Sequence, residues 1–255
     1  MFIINGNYGN DTVALIQWCR EAALENVVVV SVDTGWAAPD WSDRVDAGEA
    51  FARQCGFEVK RLMSPMPFTD LVKDRQCFPS PKFHWCANFL KALPLLEWLD
   101  EVDLSCEATV IIAKRRTEAK ANAQMPEKIE DSEYYGGRTV WYPLHAHDLA
   151  GRDALIDRSG LEKLHSRSLE CFTCIYQQRH DFDSMSSEAI ARLKALESSI
   201  DQPMYKPEDF GGARGIEAVV EWVRAHSEEV SDQALGDGER DVYYSGCGSE
   251  FGCGL

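Results

Sequence analysis

At 255 residues the chain is long enough to bury a sizeable core, and its formal net charge of -16 argues against unassisted binding to a polyanion. No apolar run approaches the ~18 residues that suggest a membrane span, and the first residues lack the basic flank and apolar core of an export signal, so a cytoplasmic protein without a membrane partner is expected. Nine cysteines in that setting point to metal, redox chemistry or burial rather than to a disulfide scaffold.

Phe2 to Asn5 reads as a short strand, and Gly6, Asn7, Tyr8 and Gly9 follow where a helix should begin. Backbone N–H groups of such a loop and helix start converge on an anion, with phosphate the natural guest, although an ordinary β-to-α turn has the same composition. Neither the P-loop nor the dinucleotide-binding glycine spacing is present. Val13 to Ala23 is apolar enough for a helix packed on a sheet, and Val27 to Val32 is the continuous run of a strand covered on both faces. That strand delivers Asp33 to its C-terminal end, where open α/β sheets hold ligands. Pro39 and Asp40 open a helix from Trp41 to Cys55, and Phe57 to Met63 is a short strand. The proline-rich stretch from Pro65 to Pro81 reads as a loop over the ligand site. A helix then starts at His84 and carries Cys86 in its first turn, where the dipole favours a thiolate.

Ala108 to Ala113 is an interior strand that brings Lys114, Arg115 and Arg116 to the same edge as Asp33. They are either a solvated rim or, since guanidinium offers paired donors to phosphate and sulfate, an anion clamp that Glu118 would orient. Gln124 to Arg138 reads as a mobile loop, Val140 to Leu144 as a last strand, and Asp148 to Arg158 as a helix. His145 and His147 have no matched ligand set nearby. Ser187 to Ile200 and Gly215 to His226 are amphipathic helices that would also serve an oligomer interface. Ser231 to Asp241 is an acidic tether. The simplest partition is an α/β domain over residues 1–165 and a cysteine-bearing helical region over 166–255. Cys19, Cys55 and Cys106 read as small buried hydrophobes. Cys171-Phe-Thr-Cys174 is half a zinc site, a redox pair or two ligands of an iron-sulfur cluster. Cys247 and Cys253 complete four thiolates for zinc, and Cys86 competes for a place at iron.

Taken in order, Asn7 to Thr12, Asp33-Thr34-Gly35-Trp36, Trp85-Cys86 with Leu90-Lys91 and Pro94, Arg115-Arg116-x-Glu118, Tyr142-Pro143-Leu144 and Cys171-x-x-Cys174 resemble the phosphoadenosine phosphosulfate (PAPS) reductase family of the PP-loop superfamily. The resemblance implies an α/β fold of the adenine nucleotide α-hydrolase-like type, with a parallel sheet, the nucleotide at the strand C-termini and a mostly helical C-terminal extension carrying cysteines. It implies that Asn7, Tyr8, Gly9, Asn10, Asp11 and Thr12 hold phosphate or sulfate, and that Asp33, Thr34 and Gly35 hold the nucleotide or its magnesium. Arg115 and Arg116 would clamp the anionic end, and Asp11 would act in catalysis with them. Cys86, Cys171 and Cys174 match ligands of a 4Fe-4S cluster, and Cys247 is the candidate fourth.

The chain departs from the family pattern in two places. Ala87 stands where adenylyl sulfate (APS) reductases have a second cysteine, and Gly246-Cys247-Gly248 only echoes the reductases' Glu-Cys-Gly-Ile-His. Asp11-Thr12 is closer to the Asp-Ser of the ATP-cleaving branch. The resemblance therefore implies adenylation by ATP with pyrophosphate release, followed by sulfur transfer through the cluster or a tail thiol such as Cys253, with a sulfur-donor protein as partner. The alternatives are reduction of PAPS or APS by a C-terminal cysteine with thioredoxin, and a non-catalytic nucleotide-binding subunit with structural zinc.

Overall fold

The structure is a computed structural model and describes residues 1–80, 83–118, 122–177 and 179–226. Cys247, Cys253 and the tether from Ser231 to Asp241 lie outside the described residues. A six-stranded sheet organises the chain, built from β1 (Phe2–Asn5), β2 (Val27–Asp33), β3 (Glu58–Met63), β4 (Thr109–Ile111), β5 (Lys128–Ser132) and β6 (Arg138–Trp141). Its order is β3-β2-β1-β4-β6-β5, with every pair parallel except β5 on β6. The chain winds from β1 through β2 to β3, then crosses to β4 on the other side of β1. The C-terminal ends of β1 and β4 therefore flank the crevice where the winding reverses, the place such sheets offer to ligands.

The period-2 alternation of β2 explains how one apolar run serves both faces. Val27 and Val29 join Ile4 and Ile111 under the helices α1 (Asn10–Glu21) and α6 (Leu149–Ser159), through Val13, Leu15, Ile16, Leu155 and Ile156. Val28 and Val30 join Ile3 and Val110 on the opposite face, against Leu95 and Leu99 of α5 (Leu93–Val102). A third apolar cluster gathers Trp36, Phe68 and Trp85 with α8 (Ser187–Ile200) and α9 (Ile216–Ala225), which follow the short α7 (Arg179–Asp183). Before α5 the chain runs through α4 (Trp85–Ala87) and a π turn, Asn88–Ala92, which carries the buried Lys91. Among the described residues no helix is long and apolar enough to cross a membrane.

Several expectations are corrected. The proline-rich stretch contains a helix, α3 (Phe68–Arg75), whose Phe68, Leu71 and Val72 are buried at helical spacing. The prolines obscured that short stripe, and Pro67 serves as its N-cap residue. The supposed loop from Gln124 to Arg138 contains β5, an edge strand too polar to announce itself. The interior strand of the middle region is confined to Thr109–Ile111, and β6 begins at Arg138 rather than Val140. Cys106 is exposed at a left-handed φ of 55°, whereas Cys19 is buried and Cys55 half-buried.

α2 (Trp41–Gln54) supplies one unusual contact: a Cβ on Gly48 would overlap the ring of Tyr8. Glycine to alanine inside a helix ordinarily stabilises by about 0.5–1 kcal/mol. Gly48→Ala is instead expected to destabilise by about 1–3 kcal/mol through overpacking, seen as a lower urea midpoint at unchanged slope.

Candidate functional site

The loop between β1 and α1 owes its shape to two side chains. Tyr8 takes a left-handed φ of 61°, where a β-carbon costs about 1–2 kcal/mol. Its ring is fully buried against α2, and Arg44 Nε donates to its carbonyl at 2.9 Å, so packing and a hydrogen bond offset the strain. Asn7 spends its whole side-chain amide internally. Its Oδ1 accepts from Gly9 N (2.9 Å) and Thr12 Oγ1 (3.2 Å), and its Nδ2 donates to Ser168 Oγ (3.0 Å) and Glu170 Oε1 (2.8 Å). Asn10 is likewise paired on both sides with the backbone of Leu164.

The side chains of Asn7, Tyr8, Asn10 and Thr12 thus build and cover the loop rather than present themselves to a guest. What remains for an anion is the first turn of α1, whose N-cap, Gly9, makes no side-chain cap. The segment from Leu164 to Glu170 lies across this loop, and Asn7, Asn10, Asp11 and Thr12 are each 5% exposed or less.

At the crevice between β1 and β4, Asp11 Oδ1 lies 2.9 Å from Arg115 Nη1, and Asp11 Oδ2 lies 3.8 Å from Arg152 Nη1. Glu118 Oε1 is 3.8 Å from Arg115 Nη2, and its Oε2 accepts from Arg115 N at 3.2 Å. Neither oxygen of Asp11, nor Nε and Nη1 of Arg115, makes a geometrically good hydrogen bond among the described residues. Burial outweighs the attraction of Arg115 and Arg152 and pushes the Asp11 carboxyl up to about 6. Burial, with Asp11 adding repulsion, pushes Glu118 up to about 7. Both values exceed those of the unfolded chain, so the native state retains a proton that the unfolded state has released. Stability from this cluster is then lost as pH rises from about 5 to 7, by roughly 2–3 kcal/mol for one proton. Urea midpoints at the two pH values measure it, and Asp11→Asn should flatten the dependence.

The two arginines of the expected clamp have different partners. Beyond the end of β4 the chain turns at Arg116, with Glu118 N donating to Arg115 O at 3.3 Å. Arg115 faces inward to Asp11, while Arg116 is exposed and donates Nε to Met125 O at 2.9 Å. Asp33 is exposed and accepts from Gly35 N at 2.8 Å, and Gly35 holds a φ of 67°. Thr34 is buried and donates to Glu170 O at 3.0 Å, with its Oγ1 3.7 Å from Cys171 Sγ.

Cys86, Cys171 and Cys174, distant in sequence, line one cavity of about 20 Å³ together with Trp36, Lys91 and Tyr176. The cysteine turn is tied to the end of β2 by backbone bonds from Ala38 N to Leu169 O (2.9 Å) and from Phe172 N to Trp36 O (2.8 Å). Two cations attend the thiols. Arg167, which also donates to Asp181 at 3.3 Å, is hydrogen-bonded to Cys174; burial opposes its charge, but Cys174 and Asp181 prevail and raise its pKa. Arg192 lies 3.7 Å over the Trp36 ring and within electrostatic reach of Cys171; burial lowers its pKa despite that thiol.

Three thiols with neighbouring cations suit iron-sulfur chemistry by donor type. The space is the difficulty: about 20 Å³ is room for roughly one water, and no three His, Cys, Asp or Glu side chains among the described residues are placed to hold a metal ion. In this conformation the residues present do not fit the cluster.

Sequence reasoning missed Glu170, Ser168, Arg152, Arg167 and Arg192. Glu170 is buried, ion-paired with Lys91 and bonded to Asn7, so it joins the loop to the wall of the thiol cavity. Its one signal in the sequence was a carboxylate set directly before Cys171.

No family profile and no curated protein matches the chain. Among solved structures it is similar to a phosphoadenylyl-sulfate reductase from Candida auris, determined as a phosphate complex, at 16% identity and a TM-score of 0.45, over 64% of this chain and 73% of that one. It is also similar to an NMN synthetase from Francisella tularensis at 12% identity and a TM-score of 0.45, over 95% of this chain and 82% of that one.

Proposed function

We propose that the chain is an enzyme of sulfur chemistry that binds an adenine nucleotide, ATP with magnesium, where β1 and β4 part. One observation carries this reading: the thiols of Cys86, Cys171 and Cys174 share a cavity whose Lys91 connects through Glu170 to Asn7 of the loop. The nucleotide's phosphates would lie over the first turn of α1, reached once the Leu164–Glu170 segment lifts. Asp11 Oδ2, which accepts no hydrogen bond while Oδ1 is ion-paired with Arg115, would hold magnesium, and Arg115, through the Nε that the pair leaves over, would stabilise charge developing on the phosphates. Adenylation of an acceptor would release pyrophosphate; a cavity cysteine charged as a persulfide by a sulfur-donor protein would then attack with its outer sulfur and expel AMP, and a second cavity thiol would free the thiolated acceptor by closing a disulfide that an external thiol reduces. No step is assigned to a cluster. Arg167 and Arg192 set positive charge beside Cys174 and Cys171, which supports a second reading, attack of a cysteine sulfur on the sulfur of PAPS or APS that expels the adenosine phosphate, with thioredoxin then releasing sulfite from the adduct.

Calorimetry with Mg-ATP is expected to show binding that Asp11→Asn weakens at least tenfold. Pyrophosphate release from ATP supports the first reading, and sulfite release from PAPS or APS with thioredoxin supports the second. Absence of binding by all three nucleotides would remove both.

A further inference from the structure

Glu170 is an acid in an unexpected place. It is 7% exposed, its carboxylate is ion-paired with the equally buried Lys91, and the same Oε1 accepts from Asn7 Nδ2 at 2.8 Å. A buried carboxylate is retained only where cations or hydrogen-bond donors compensate it. Here the compensating groups are an amide of the glycine loop and an ammonium on the wall of the thiol cavity. Those two donors lie between the proposed phosphate seat and the thiols, where the charged end of a ligand spanning both would come to rest.

We propose that Glu170 is a built-in anion surrogate, holding the donors of Asn7 and Lys91 until an anionic ligand displaces it. The inference rests on the reading of the loop as an anion seat and adds a specificity-determining residue to it. Displacement has a mechanical consequence. Glu170 ends the segment that covers the loop, where Ser168 also bonds Asn7, and it directly precedes Cys171. A ligand that evicts the carboxylate therefore uncovers the loop and shifts the first cysteine of the turn in one movement. Selectivity follows from charge: a neutral ligand gains nothing from evicting Glu170, whereas a polyanion recovers both donors and leaves the carboxylate to water.

The test is calorimetric titration of the full chain with inorganic pyrophosphate and with Mg-ATP. Glu170→Gln keeps the shape and removes the competing charge, and it is expected to bind pyrophosphate about tenfold tighter than the parent. Lys91→Met is expected to bind at least tenfold weaker. The double variant Lys91→Met/Glu170→Gln leaves no unpaired buried charge and guards against misfolding of the single variants; it should bind more weakly than Glu170→Gln alone. A merely structural Glu170 would weaken binding when replaced, so unchanged or weaker binding by folded Glu170→Gln overturns the proposal. If the parent binds Mg-ATP while Glu170→Gln shows no gain, only the surrogate role falls. If neither the parent nor any variant binds either probe, the anion seat itself falls and the surrogate with it.

Discussion

Arg115→Met should cost the fold about 3–5 kcal/mol, the largest loss expected from any single substitution at the crevice. Arg115 is 2% exposed and stands between two buried carboxyls, Asp11 and Glu118, with a 2.9 Å approach to Asp11. Methionine fills much of the volume but leaves the acids facing each other, with only the more distant Arg152 as counter-charge. Protonation then becomes the cheaper solution, so the deficit should shrink in acid, where both acids are neutral. Asp11→Asn in the same chain should recover most of the loss, because replacing a whole buried pair is far less costly than breaking it. Urea unfolding at pH 5 and pH 7.5 measures both effects. A loss below about 1 kcal/mol would mean that the pair behaves like an exposed surface bridge.

Trp36→Ala is expected to lose a comparable 3–5 kcal/mol, for reasons of packing. Trp36 is 2% exposed, its ring centroid lies 5.1 Å from that of Phe68, and Arg192 covers the ring at 3.7 Å. Its Nε1 also donates to Thr173 O at 3.0 Å, inside the Cys171–Cys174 turn. The alanine variant thus removes a wall of the thiol cavity and a support of the turn together. Trp36→Phe separates the two roles. It retains most of the apolar contact, forfeits the hydrogen bond, and should cost about 1–3 kcal/mol by leaving the Thr173 carbonyl unpaired. Reaction of the folded protein with an aromatic disulfide should be faster in both variants, and fastest in the alanine variant. Unchanged thiol accessibility in Trp36→Ala would show that the backbone ties of Ala38 and Phe172 alone hold the turn.

The sheet was legible because its signals are local. An apolar run such as Val27 to Val30, with glycines before one helix and after another, announces a buried parallel strand with little help from distant contacts. α3 and β5 escaped for the opposite reason: each is short, and each draws its stability from a neighbour, α3 from the cluster around Trp36 and β5 from pairing along one edge of β6. The three cysteines were singled out in sequence, and the fold does bring them to a single cavity. The charges around them were not legible. Glu170, Arg167 and Arg192 look like ordinary surface residues in a chain this acidic, and only the folded arrangement reveals that each is spent on a loop, a thiol or an indole. Arg115 and Arg116 part for a different reason: the strand ends at Ile111 and the chain turns at Arg116, which adjacency in sequence does not show.

The overlap of Tyr8 with the space above Gly48 makes two positions, forty residues apart, a single choice. A relative that restores glycine at the left-handed corner vacates the room an aromatic ring now fills, and only then is a side chain on the second helix admissible. The two sites should therefore substitute together across homologues, and a glycine-corner variant should accept Gly48→Ala with far less penalty than the parent does.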